Sequence, residues 1–209
     1  MKSILNNILS DFGHNNRIFH SEAELQFCIA WELKNRNRDI DVWFEYPAEQ
    51  IKNEHKRIPQ IDLVIQNNNL LFPIEIKYAK GNLSYKNINL SNKPLDECFD
   101  VAKDIKRLED FSEKYDNFDK GYVIVVSNNF SWFKDHRPSS KVFTYDSYLL
   151  DHDSNILTGM IKYKIDDNHK SQQIIELKGK YDTKWQEYCS LGNNINEIFK
   201  YLIIEISKA

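Results

Sequence analysis

The chain has 209 residues, 41% of them apolar and 13% aromatic, with a formal net charge of −3. That content suffices for the core of one folded domain. No run of about 18 apolar residues exists to span a bilayer, and the negative balance argues against a surface that grips nucleic acid over its whole area.

The segment from Met1 to Asn16 carries Asp11 and scattered asparagines where a secretory signal needs an apolar stretch, so the chain is expected to stay in the cytoplasm, without a membrane. Cys28, Cys98 and Cys189 are far apart and odd in number, which suits reduced core thiols better than disulfides or a zinc site. Ser21 with Glu24 three residues on reads as a capping box, predicting a helix from Glu22 to about Asn35. Asp41 to Tyr46 reads as a strand closed by Pro47, followed by a polar, basic loop to Arg57 that is mobile by expectation. Ile61–Gln66 and Leu70–Tyr78 are two strands separated by Asn67, Asn68 and Asn69, residues that tolerate the positive φ of a tight hairpin.

After an Asn-, Ser- and Lys-rich loop from Gly81 to Pro94, Phe99, Ala102, Ile105 and Leu108 fall at helical spacing, and a long amphipathic helix is predicted over 95–115. Gly121 to Ser127 is a continuous apolar run of the kind that fills a doubly covered central strand. Ser131 to Arg137 reads as a loop, and strands follow at Lys141–Tyr145, Met160–Ile165, Ile174–Leu177 and Phe199–Ile206. The expectation is one α/β domain, its core spanning about 16–130, with 131–209 a C-terminal elaboration of strands and a helix.

Turn length sets which hairpin residues oppose each other. A two-residue turn at Asn68-Asn69 pairs Asn67 with Leu70, and the same register sets Asp62 opposite Glu75, with Cβ atoms about 4.5 to 5.5 Å apart. Lys77 shares the face of Glu75, while Leu70, Phe72, Ile74, Ile76 and Tyr78 point the other way into the core. A three-residue turn would place Ile74 opposite Asp62, and an ordinary surface hairpin with cross-strand charge pairs would carry the same residues. Two close carboxylates suit a hard divalent cation, Mg²⁺ or Mn²⁺, held by Asp62 and Glu75. Such an ion polarises a phosphoryl oxygen and lowers the pKa of bound water, and Lys77 is placed to orient the attacking water and stabilise charge.

Asp62, twelve intervening residues and then Glu75-Ile76-Lys77 on an apolar strand, preceded by a helix bearing an acid, resembles the signature of the PD-(D/E)XK nuclease superfamily over roughly Ser21 to Ser127. The proline of the motif name is absent, Ile61 standing before Asp62. His20–Gln26 with Glu45-Tyr46-Pro47 resembles a bacterial branch of that superfamily, which implies no substrate. The resemblance implies a three-layer α/β/α restriction endonuclease-like core with a mixed central sheet, and metal-dependent hydrolysis of phosphodiesters, DNA foremost. It also implies metal-holding roles for Asp62 and Glu75 and an assisting role for Lys77.

The helix acid is Glu22 or Glu24; Glu22 is preferred because Glu24 has a capping role. Gln26 and Gln60, the latter opposite Lys77 in the preferred register, are helper candidates, although a solvated Gln26 is the plainer reading. Lys80, Lys103 and Arg107 are candidate phosphate contacts, with Lys86, and Trp132 or Tyr85 could stack a base. The basic groups Lys52, Lys56 and Arg57, Lys93, Lys106, and Lys134, Arg137 and Lys141 count only if they converge on one cleft.

Glu176-Leu177-Lys178 repeats the Glu-x-Lys pattern, but its hairpin register sets Ile161 or Lys162 opposite Glu176 and supplies no second acid. Asp151-His152-Asp153 reads as a loop; His20, beside the helix start, is a candidate phosphate contact, although a structural histidine is the plainer reading. A homodimer or a partner subunit is compatible with these features. The competing class is a binding module, for nucleic acid or protein, that keeps the fold without cleavage.

Overall fold

Leu5, Ile8, Leu9 and Phe12 recur at the spacing of one helical face, and Lys2–His14 forms α1 with all four buried. The computed structural model describes residues 1–51, 58–91, 97–132, 143–146, 156–165 and 173–208. Ser21 caps α2 (Glu22–Arg36), its hydroxyl accepting from the Glu24 amide at 3.1 Å. The Glu24 carboxylate turns back one residue further than a capping box requires and accepts from the His20 amide at 2.8 Å. Gly13 has a packing reason: a Cβ there would stand 2.0 Å from the Tyr188 carbonyl oxygen.

Strands β1 (Asp41–Pro47), β2 (Gln60–Asn67), β3 (Leu70–Ala79) and β6 (Lys120–Ser127) follow the apolar runs of the sequence. The expected loop between Gly81 and Pro94 holds a small hairpin, β4 (Leu83–Tyr85) and β5 (Ile88–Leu90), because Leu83 and Leu90 tuck into the core as its facing pair. Helix α3 (Glu97–Lys114) returns the chain so that β6 lies parallel to β3. Two later strands, β10 (Gln186–Ser190) and β11 (Ile198–Ser207), join the same sheet, whose order is β1-β2-β3-β6-β11-β10. All its neighbours are antiparallel except β3 with β6.

Both faces of this sheet are covered. Leu63, Ile65, Ile74, Ile76 and Ile124 pack with α1 and α2, while Val64, Leu71, Val123 and Val125 pack with Phe99, Ile105 and Leu108 of α3. Helices therefore lie on opposite sides of a mixed six-stranded sheet. A separate sheet of β7 (Phe143–Asp146), β8 (Ile156–Ile165) and β9 (Gln173–Asp182) leans on the α3 layer through Leu157, Ile161, Leu177 and Tyr181. Glu109 of α3 pins it there: one carboxylate oxygen accepts from the amides of Lys178 and Gly179 and from the Tyr181 hydroxyl, at 2.8, 2.9 and 2.6 Å.

The expected C-terminal helix is not found among the described residues. The isoleucine-rich run from Phe199 to Ile206 extends as β11, and the turns beside it are short 3₁₀ segments at Phe130–Trp132 and Ile195–Glu197. Glu176 faces Met160, not Ile161 or Lys162, in a register that holds from Gly159–Leu177 to Tyr163–Gln173; no acid opposes it. Cys28 is buried and Cys189 half-buried, both free, and burial pushes both thiols up, Cys189 to about 11. No helix among the described residues is long and apolar enough to cross a membrane.

Candidate active site

The hairpin has the two-residue turn, with Asn68 at φ 55°, and pairs Asn67 with Leu70 through to Leu63 with Ile74. Leu70 itself is 45% exposed at the turn rather than in the core. One step before Asp62 would meet Glu75, the ladder stops. Strict alternation would set Ile61 under α1 and α2 with Leu63 and Ile65, yet it packs with Val64 in the α3-side core. The alternation breaks at Asp62. Across from it on β1, between the pairs Phe44–Leu63 and Tyr46–Ile61, Glu45 occupies the left-handed region at φ 48°.

This splay leaves amides of β3 that β2 no longer reaches, and carboxylates take them over. Asp62 Oδ2 accepts from the Ile76 amide at 2.7 Å, and Glu22 Oε2 accepts from the Tyr78 amide at 2.8 Å. The two bonds aim an acid from β2 and an acid from α2 at the stretch of β3 that carries Lys77. Gln26 is not solvated: it is buried, and its amide donates to the Asp62 carbonyl at 2.5 Å and toward Glu45 Oε1 at 3.5 Å, bracing the splayed strands. Gln60 does not face Lys77, because the ladder has ended; it pairs with Pro47 on β1.

Glu75 and Lys77 meet α3. Arg107 Nη1 lies 2.5 Å from Glu75 Oε1 and 3.3 Å from Asp104 Oδ1, and Lys77 Nζ lies 3.3 Å from Asp104 Oδ2. Glu75 and Asp104 are 1% and 2% exposed, so this is no surface hairpin with solvated charge pairs. Burial pushes the Asp62 carboxyl up to about 6, against the Ile76 amide and Lys77, with Asp104 and Glu22 adding to the rise. Glu75 is raised well above its ordinary range by burial and by Asp104, only partly offset by Arg107. Asp104 is raised by burial against the pull of Lys77 and Arg107. Burial alone would lower Lys77, but Asp104, Glu22, Asp62 and Glu75 outweigh it and hold the ammonium firmly protonated.

Asp104 joins the site without being among the residues expected there. Its signal was a charged residue on the apolar stripe of α3, one turn from both Val101 and Leu108, where a solvated acid has no place. Arg107 was expected to meet a phosphate and instead meets Glu75 and Asp104. Lys103 pairs with Asp100 at 2.8 Å, and Lys80 donates to the His20 carbonyl at 3.2 Å. Lys103, Lys106 and Arg107 share a groove with Ile51 and Pro59 beside the cluster. Trp132 is buried and cannot stack a base. Lys52, Lys56, Arg57, Lys93, Lys134, Arg137, Lys141 and Asp151-His152-Asp153 lie outside the described residues.

No family model and no curated protein matches this chain. The donor set is carboxylate oxygen throughout, which suits Mg²⁺ or Mn²⁺. Three buried or half-buried carboxylates, Asp62, Glu75 and Asp104, share two cations, and Asp104 Oδ2 is sealed from solvent without accepting a hydrogen bond, Lys77 being close but not aligned to donate. Oxygen donors of this type are the kind a hard divalent cation takes. Among the described residues no three acidic, histidine or cysteine groups are already spaced to hold a metal ion, and Arg107 stands on Glu75.

Proposed function

We propose that the chain is a metal-dependent nuclease of the PD-(D/E)XK type, with a restriction endonuclease-like core, acting on DNA with Mg²⁺ or Mn²⁺. The observation that carries this reading is the splayed end of β2 and β3, where Asp62, Glu75 and Lys77 converge with more buried negative charge than the two neighbouring cations neutralise. Asp62 and Glu75 would hold the ion, which when bound supplies Lewis acidity to the phosphodiester. Lys77, kept protonated by four acids, orients the attacking water and stabilises charge on phosphorus; it does not act as the base. Glu22 helps set the field around Lys77, and Gln26 positions Asp62 through its carbonyl. Lys103 and Lys106, now paired with Asp100 and Asp110, would exchange those acids for substrate phosphates in the groove beside the cluster.

One observation favours a second reading, a non-catalytic module for nucleic acid or a partner protein: Arg107 already neutralises Glu75. Incubation of the purified chain with plasmid, single-stranded and branched DNA and with RNA, in Mg²⁺, Mn²⁺ or EDTA, separates the two. Metal-dependent cleavage that disappears in Asp62→Asn supports the nuclease. Binding of nucleic acid without cleavage in any metal favours the module.

A further inference from the structure

Glu75 is almost wholly buried and is ion-paired with Arg107. The guanidinium is 28% exposed and opens onto the groove with Ile51, Pro59, Lys103 and Lys106. It therefore stands at the boundary between the buried carboxylates and solvent, with a way out. Its neighbour Asp104, one helical turn back, already touches the guanidinium through Oδ1 at 3.3 Å, while its Oδ2 stands 3.3 Å from the Lys77 ammonium. A divalent ion held by Glu75 would stand beside the guanidinium on the same carboxylate. Like charges so placed repel strongly in a poorly solvated site.

We propose that Arg107 is a latch that competes with a divalent cation for Glu75, and that Asp104 receives the guanidinium when the cation enters. This rests on the nuclease reading and adds a regulation to it. A phosphate in the adjoining groove attracts the same guanidinium, so substrate and metal favour each other's binding, as linkage requires. Arg107 is in this account a positioning residue, closing the site until substrate arrives.

The test is calorimetric titration of Mn²⁺ into the nucleic-acid-free chain, wild type against Arg107→Gln, with thermal melts in EDTA and in Mn²⁺. The latch predicts that Arg107→Gln binds Mn²⁺ at least about tenfold more tightly. It also predicts a variant that melts lower than wild type in EDTA yet gains more from Mn²⁺, a reversal that lost packing alone does not produce. Arg107→His at pH 8, neutral and bulkier, repeats the comparison if the glutamine variant does not fold. Equal or weaker Mn²⁺ binding by these variants, with wild type binding, overturns the latch and leaves the nuclease reading standing. Absence of Mn²⁺ binding by wild type and variants alike removes the metal reading and the latch with it.

Discussion

Replacing Asp62 with asparagine is expected to stabilise the metal-free protein at neutral pH. The carboxyl, ordinarily near 3.8, is pushed up to about 6 by burial. The folded chain thus binds this proton more tightly than the unfolded chain does. Stability from this group is complete below about pH 4 and is lost as pH rises through about 6. The difference corresponds to about 3 kcal/mol. Asparagine keeps an oxygen for the Ile76 amide and carries no charge, so Asp62→Asn should exceed wild type by about 2–3 kcal/mol at pH 7.5, and match it near pH 4. For a chain of this size that is a rise in Tm of roughly 5–10 °C. Urea unfolding followed by circular dichroism in EDTA at both pH values measures it. A variant no more stable than wild type at pH 7.5 would show that Asp62 is comfortably ionised without metal, and the electrostatic account of the site would be wrong.

Glu109→Ala removes the acceptor shared by the Lys178 and Gly179 amides and the Tyr181 hydroxyl, and should cost about 3–5 kcal/mol in urea unfolding; a loss under about 1 kcal/mol would mean that the β7–β9 sheet docks without it. Gln26→Leu leaves the Asp62 carbonyl without its donor and should cost about 1–3 kcal/mol. The same variant should lower cleavage by slackening the aim of Asp62; unchanged cleavage would mean that Gln26 braces the strands without positioning Asp62. Arg107→Gln should tighten Mn²⁺ binding, as argued from its contact with Glu75.

Much of this architecture is legible in residue order. The cap at Ser21, the asparagine turn and the apolar run of β6 each express one local preference, and the structure follows them. α1, which is not among the expected helices, also has a local signal in the spacing of Leu5, Ile8, Leu9 and Phe12. The site was half legible. The hairpin's side-chain period brings out Asp62, Glu75 and Lys77, but periodicity assumes a regular ladder, and the ladder breaks at Asp62. Gln60 misses Lys77 for that reason, whereas the burial of Gln26 comes from the packing of α2 over Asp62. The contribution of α3 depends on tertiary packing: nothing local to Asp104 or Arg107 states that β3 will lie beneath them.

Lys77→Met, assayed beside wild type in one experiment that records Mn²⁺ binding by calorimetry and nicking of plasmid DNA, tests the nuclease account most directly. Both proteins should bind Mn²⁺ and wild type alone should cut, with EDTA abolishing the activity. Cutting by Lys77→Met at the wild-type rate, or no cutting by wild type of any nucleic acid offered, would contradict it.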